Sequence, residues 1–325
     1  MPTRSDAPGP TLEIAVVVST YRRAGLLPRL VAALEAQTLE PYRFEVVLVD
    51  NGSGDDTREV LERLAGASPL RLRVLAIEVN RGPAAARNLG WTSTSAPFVA
   101  FTDDDCVPRA DWLVQALRTC RACPELGVLQ GATLRPPGSY VYGPNTSYRE
   151  TLRPSPYFEG CNLVFPRSVL ERTGGFDESF TFGGEDTAAG WSALEDGSRW
   201  IFDESCVVTH DIVERPWRWH LMMAWREGAL VDVAARYPDL RRRGFWRSWA
   251  HRPWNVAFVV GFLATVAAVW WPILLLGWLP WAWLRRPPTR NPFRALPLLA
   301  RWFVNDAVAE AGMVWASIRN RVVVL

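Results

Sequence analysis

Over the first third of the chain the apolar positions fall in short unbroken runs separated by polar loops. Glu13 to Val18, rich in β-branched residues, reads as a buried strand, and the Ser19-Thr20-Tyr21 turn after it leads into a helical pattern from Leu26 to Leu39. Phe44 to Val49 is a second such run. It ends in Asp50-Asn51-Gly52-Ser53-Gly54-Asp55-Asp56-Thr57, after which helical spacing resumes from Arg58 to Leu64. Leu72 to Ile77, Ala84 to Trp91 and Phe98 to Thr102 continue the alternation. This order predicts an α/β fold, with a mostly parallel central sheet and helices on both faces. Ligands of such sheets lie beyond the carboxyl ends of the strands, which directs attention to the loops beginning at Ser19, Asp50, Asn80 and Asp103.

Past Gly131 the pattern loosens into a Pro-, Gly- and Tyr-rich stretch through Phe158, read as loops on the acceptor side. A second change follows Arg215. Trp217, Trp219, Trp225, Trp246 and Trp249 alternate with arginines, a composition suited to a membrane interface, so 216–253 is expected to form an interfacial helical segment. Trp254 to Leu284 then carries no charged residue. As one helix it would be about 46 Å long at ~1.5 Å per residue, more than the roughly 30 Å hydrocarbon core. Pro272 and Pro280 interrupt it, which leaves a kinked span or a re-entrant hairpin, with a buried helix pair in a soluble domain as the bland alternative. Arg241, Arg242, Arg243, Arg247 and Arg252 precede the run, and Arg285, Arg286, Arg290 and Arg294 follow it. Arginines on both flanks favour both ends being cytoplasmic, which a hairpin satisfies more easily than one crossing. Residues 285–325 mix apolar positions with Arg301, Asp306, Glu310 and Arg319, as an amphipathic tail would.

Composition narrows the picture. The chain has 325 residues, 49% of them hydrophobic, enough for one catalytic domain, taken as 13–215, plus an appendage. All 36 positions counted as Lys+Arg are arginine, yet the formal net charge is only +2, and nothing marks the chain as a nucleic-acid binder. The five cysteines include a lone Cys120-x-x-Cys123 without a partner pair at zinc spacing, expected to be structural. Residues 1–12 are Pro-, Ser- and Gly-rich, lack the apolar stretch of a secretory signal, and are expected to be disordered. The catalytic domain is accordingly expected on the cytoplasmic side of the cell membrane.

The chemistry concentrates in the acidic loops. Thr102-Asp103-Asp104-Asp105 follows an apolar strand, and strand alternation would let Asp103 and Asp105 converge while Asp104 faces elsewhere. Two carboxylates on one spot repel unless a cation shares the site, and hard oxygen ligands suit Mg²⁺ or Mn²⁺ bridged to substrate phosphates. A solvated acidic turn is the alternative for this triplet, and an ordinary turn is the alternative for Asp50-Asn51-Gly52-Ser53. Glu185-Asp186 follows Phe182-Gly183-Gly184 and precedes a helical stretch from Thr187 to Leu194, where acids also serve as N-terminal caps. His210 ends an apolar run and is either a hydrogen-bonded structural histidine or a metal ligand. Trp191 and Trp200 either stack on a ligand or pack in the core.

In one order along the chain stand Ser19-Thr20-Tyr21, Val49-Asp50-Asn51-Gly52-Ser53, Asn80-Arg81-Gly82 with Ala86-Arg87-Asn88, Asp103-Asp104-Asp105, Gly174-Gly175-Phe176-Asp177-Glu178 and Glu185-Asp186. The set resembles the family 2 glycosyltransferases of GT-A, Rossmann-like fold. The resemblance covers roughly residues 13 to 215. It implies a nucleotide-diphosphate sugar donor, with Thr20, Asp50, Asn80, Arg87, Asp103 and Asp104 on the donor side, Asp105 and His210 on a divalent metal, and Asp186 as catalytic base. The acceptor side is assigned to Glu185, Trp191, Cys161 and Asn162. Inverting transfer is implied, in one displacement. Processive relatives carry Gln-x-x-Arg-Trp, whereas Arg199-Trp200 here follows Asp196-Gly197-Ser198, so one sugar per binding event is expected. Membrane attachment, with membrane lipids as partners, makes a lipid-linked or glycan acceptor the simplest expectation. The competing readings are a membrane-bound nucleotide-sugar-binding protein without turnover and a nucleotidyltransferase.

Overall fold

The computed structural model describes residues 11–139, 146–181, 183–247, 250–287, 289 and 291–324. The expected disorder of 1–12 falls, but for its last two residues, outside the described residues, as do Trp249, Arg290, Phe182 and part of the Pro-, Gly- and Tyr-rich stretch. The chain divides into two compact units. The first holds the residues up to Ile212 other than two short pieces, and the second holds those pieces, around Ser147 and Gly183, with Val213–Leu325.

In the first unit the apolar runs become strands, the inner ones buried on both faces as in a helix-covered sheet and the edge run Leu72–Ile77 only partly buried. They are β1 (Ile14–Thr20), β2 (Phe44–Asn51), β3 (Leu72–Ile77), β4 (Phe98–Asp103), β5 (Cys106–Pro108) and β6 (Leu126–Leu134), followed by β8 (Asn162–Pro166) and β9 (Arg199–His210). The sheet order is β3-β2-β1-β4-β8-β6-β9-β5. From β3 to β4 all neighbours are parallel, β8 runs antiparallel to both β4 and β6, and β6 pairs with β9 in parallel. Helices α1 (Leu27–Glu35), α2 (Thr57–Ala67), α3 (Pro83–Thr92), α4 (Trp112–Ala122), α5 (Arg167–Thr173) and α6 (Glu185–Ser192) complete the unit. α1 buries Leu27, Leu30, Val31 and Leu34, an i, i+3, i+4, i+7 stripe that joins Ile14, Val16 and Val18 of β1 in the core.

Register decides what reaches the ligand edge. Thr20 stands opposite Asp50, and Ser19 opposite Asp103, so β1, β2 and β4 end flush with one another. β5 pairs antiparallel with β9, which sets Cys106 opposite His210 and brings the end of β9 beside Asp105.

The second unit contains a ribbon of β7 (Thr146–Ser147) and β10 (Val213–Glu214), with helices α7 (Trp217–Arg226), α8 (Gly228–Arg236), α9 (Pro238–Gly244), α10 (Pro253–Ala267), α11 (Leu279–Leu284) and α12 (Pro292–Asn320). α12 packs on α7 and α8, where Gly228 lies against the backbone of Gly312. The Trp/Arg-rich stretch forms α7 to α9, and the amphipathic tail forms α12. The uncharged run does not form one kinked helix. It divides into α10, a 3₁₀ segment Pro272–Trp278 and α11, because the prolines at 272 and 280 have no N–H to continue a helical ladder. Among the described residues no helix is long and apolar enough to cross a membrane, so the expected kinked span is corrected.

Candidate active site

The row at the sheet edge starts with Thr20, whose hydroxyl donates to Asp104 Oδ2 at 2.6 Å. β4 stops at Asp103, and Asp104-Asp105 form a turn before β5. Strand alternation therefore ends one residue too early for the expected pairing of Asp103 with Asp105. Instead Asp104 and Asp105 converge on Arg23, whose Nη1 lies 2.6 Å from Asp104 Oδ1 and 2.7 Å from Asp105 Oδ2. Burial works against the Arg23 charge, but the three neighbouring aspartates outweigh it and raise its pKa. Burial also pushes the Asp104 carboxyl up to about 6 despite Arg23.

Asp103 turns the other way, to Arg87 Nη2 at 3.2 Å. Arg87 is buried, reaches Glu185 Oε1 through Nη1 at 2.9 Å, and lies over the Phe176 ring at 5.4 Å. Burial opposes its charge, but Asp103, Glu185 and Asp186 prevail and raise its pKa. Glu185 is itself buried on that arginine, which removes it from the acceptor surface expected for it.

Asp186 opens α6 beside this pair and is half-buried. Its Oδ2 accepts the Gly160 N–H at 2.9 Å and its Oδ1 the Thr187 N–H at 2.8 Å. Burial first, then the Glu185 charge, push its carboxyl up to about 7. A carboxylate fixed by two N–H donors and poised near neutrality has the properties of a general base. Gly160 is required here, because a Cβ on it would meet Arg87 Nη2 at 2.8 Å.

At the end of β2, Asp50 is buried and accepts from the Ser53 N–H at 3.1 Å and from the Ser53 hydroxyl. Gly52, at φ +72°, lets this turn press on the next loop, where a Cβ would lie 2.6 Å from Asn80 N. Asn51 holds that loop through Gly82 O at 2.9 Å and the Arg81 N–H at 3.2 Å, while Asn80 Oδ1 accepts the Gly82 N–H at 3.0 Å. Asn80 thus shapes its own loop.

His210 Nδ1 lies 2.7 Å from the Asp211 carbonyl, which can only accept, so Nδ1 carries the hydrogen. Nε2 faces Asp105 Oδ1 at 3.4 Å. A neutral imidazole would present its Nε2 lone pair beside that carboxylate, an oxygen and nitrogen donor set that would suit Mn²⁺ or Mg²⁺. Cys106 Sγ lies in the same group, all ligand atoms within 4.8 Å of one another, but its hydrogen bond to Cys161 and its burial hold the thiol well above its ordinary pKa.

Three expected acceptor residues are interior. Asn162 is 1% exposed, and its amide donates to the carbonyls of Ala132 and Cys206 and accepts from the Trp112 indole, all at 2.9 Å. Cys161 is buried with Sγ 3.4 Å from the Thr133 hydroxyl. Trp191 is buried on Phe158, its indole N–H on the Pro156 carbonyl at 2.9 Å. Sequence reasoning passed over Arg23 and Asn88. Asn88 ties α3 to the Gly174-Gly175-Phe176 loop through Phe176 O at 2.7 Å and Phe176 N at 2.9 Å. Its signal was present, in the motif that also holds Arg87.

The sequence model of glycosyl transferase family 2 matches residues 15–177, which include Thr20, Asp50, Asn80, Arg87 and Asp103-Asp104-Asp105 but neither Glu185-Asp186 nor His210. The chain belongs to glycosyl transferase family 2. This family 2 glycosyltransferase is 29% identical over 244 residues to the pre-mycofactocin glycosyltransferase of Mycobacterium tuberculosis, covering 70% of this chain and 48% of that protein. It spans about half the length of the curated relatives it matches. In fold it is similar to a mannosyltransferase from Pyrobaculum calidifontis solved with GDP-Man and Mn²⁺, at 21% identity and TM-score 0.62, covering 95% of this chain and 87% of that one. It is also similar to residues 1–349 of S. aureus TarS solved with UDP-GlcNAc, at 16% identity and TM-score 0.54, covering 96% and 93%.

Proposed function

We propose that this glycosyltransferase moves a single sugar, with inversion, from a nucleotide-diphosphate sugar to a lipid-linked acceptor at the cytoplasmic face of the cell membrane. The observation that carries the reading is the fixed Asp186 carboxylate, with its pKa pushed up to about 7, beside the Arg87 cluster at the sheet edge. The acceptor hydroxyl gives its proton to Asp186 as its oxygen attacks the anomeric carbon and the diphosphate departs. One displacement inverts that carbon. Asp105 and His210 would hold a divalent cation, which as a Lewis acid stabilises charge on the leaving diphosphate. Asp50 accepts hydrogen bonds from the nucleoside, and Asp103 with Arg87 lines the donor side. The nucleotide sugars bound by the two structural neighbours support a donor of this class. The exposed apolar side chains of α10 and the 3₁₀ segment after it, Phe262, Leu263, Val266 and Ile273 among them, support the lipid acceptor and the membrane location.

Incubation with radiolabelled nucleotide sugars and extracted lipids tests the reading. Label in the lipid fraction, with the nucleoside diphosphate released, supports it. Pyrophosphate release would indicate nucleotidyl transfer, and donor binding without product would indicate a binding protein.

A further inference from the structure

Resting on the membrane attachment just proposed, we infer that α10 and the 3₁₀ segment Pro272–Trp278 form a hairpin that enters one leaflet of an anionic bilayer and returns, without spanning it.

The hairpin is built from small residues at its seam. A Cβ on Gly261 would meet the Trp278 ring at 2.5 Å, and one on Gly277 would meet the Ala264 Cβ at 2.7 Å, so the returning segment lies flush on α10. Part of its polar inventory is bonded within the hairpin, as hydrocarbon favours. The Trp278 indole donates to Thr265 Oγ1 at 2.8 Å, and that hydroxyl donates to Gly261 O at 3.0 Å. In the turn, the N–H groups of Ala268, Trp270, Trp271 and Leu274 all bond to nearby carbonyls, and residue 272 is a proline with no N–H to lose. The apolar side chains at that tip are uncovered, with Val269 79%, Trp270 70% and Ile273 72% exposed, and the exposed apolar surface continues along α10 through Phe262, Leu263 and Val266. An uncovered apolar tip of this kind marks an interaction surface.

Length excludes a crossing. From Trp254 at its base to Ala267, α10 advances about 20 Å at ~1.5 Å per residue, short of the roughly 30 Å hydrocarbon core, and insertion at a tilt keeps its tip within the roughly 15 Å of one leaflet. The base of the hairpin matches the headgroup layer instead. Arg252 and Arg285 lie over Trp254 at 5.1 and 4.4 Å, and Arg286 lies over Trp283 at 5.5 Å, pairing indoles with cations where a bilayer turns polar and anionic. Arg285 is itself paired with Asp306 through both carboxylate oxygens, so the cations that meet anionic headgroups are Arg252 and Arg286, with no acidic residue between Trp254 and Leu284.

The test combines flotation with labelling. The full chain is mixed with sealed vesicles of phosphatidylglycerol and phosphatidylcholine, and it should float with them and far less with phosphatidylcholine alone. A Val269→Asp/Ile273→Asp variant should lose at least about 100-fold in vesicle partitioning, given the penalty for Asp in hydrocarbon, with an unchanged melting temperature. All five native cysteines are free and buried, so single cysteines can be introduced. Arg247→Cys and Pro287→Cys should both react with an impermeant maleimide added outside, and Val269→Cys should not. Flotation with position 287 protected would mean a crossing, which overturns this inference and leaves attachment standing. Failure to float overturns both, and tip burial in a soluble dimer assigns the surface to a second copy instead.

Discussion

Replacing Arg87 with alanine takes the common counter-ion from three acids. In the native site its guanidinium lies 2.9 Å from Glu185 and 3.2 Å from Asp103, and its charge holds down the pKa of Asp186. Glu185 is buried, so the variant leaves an uncompensated interior carboxylate, a loss of about 3–5 kcal/mol. For a unit of this size that corresponds to a fall in Tm of roughly 6–20 °C. The sign with pH follows from linkage. Without Arg87 the carboxyls have folded-state pKa values above their unfolded ones, so the native variant binds more protons than its unfolded chain and its stability falls as pH rises through those values. The deficit against the parent should be largest at pH 8 and shrink at pH 5.5. Scanning calorimetry at the two pH values measures it, and Arg87→Ala/Glu185→Gln should recover part of the loss at pH 8. A Tm change within 2 °C at pH 8, or a deficit that does not shrink on acidification, would refute the reasoning.

Three further outcomes are expected. Asp186→Asn should lower kcat by about 10² to 10⁴-fold while the donor Kd, read by calorimetry, changes little; loss of donor binding would contradict its role as base. The parent's transfer rate should rise with pH, about tenfold per unit on the acid side, and level off above about 7, because only deprotonated Asp186 accepts the proton; a flat profile from pH 5.5 to 8 would count against it. Arg23→Ala should tighten Mn²⁺ binding in the absence of donor by about tenfold, since a charge-assisted hydrogen bond to Asp105 no longer competes with the cation; unchanged or weaker binding by paramagnetic resonance would reject that competition.

The inner strands of the parallel half were legible because burial on both faces writes itself as an apolar run, whereas the edge strand β3 shows β-branched and apolar residues around an exposed Arg73. β3 spans the Leu72 to Ile77 read from sequence, and β4 adds only Asp103 to the expected run. α1 ends at Glu35, before the expected Leu39, since the pattern of apolar positions continues into a turn whose Leu39 is also buried. Motif order located the acids, but not how they pair. Asp103 and Asp105 part company because a turn replaces the strand at Asp104, and no periodicity in three identical residues announces that. Arg23 was hidden for a different reason: its partners lie more than eighty residues away, brought near only by the β1–β4 pairing. Asn162, assigned to the acceptor side, binds carbonyls within the core instead, partners that lie far away in sequence and that no local pattern announces.

β8 runs against both of its neighbours, with Thr102 opposite Asn162, so its first residue stands at the edge where β1, β2 and β4 finish. Chain thus arrives at the reactive edge as well as departing from it. The connection that delivers it is pinned to β6 by the Thr133–Thr151 bridge and carries Gly160, whose N–H holds Asp186, so a change near its end would reach that carboxylate without altering the registers of β1, β2 and β4.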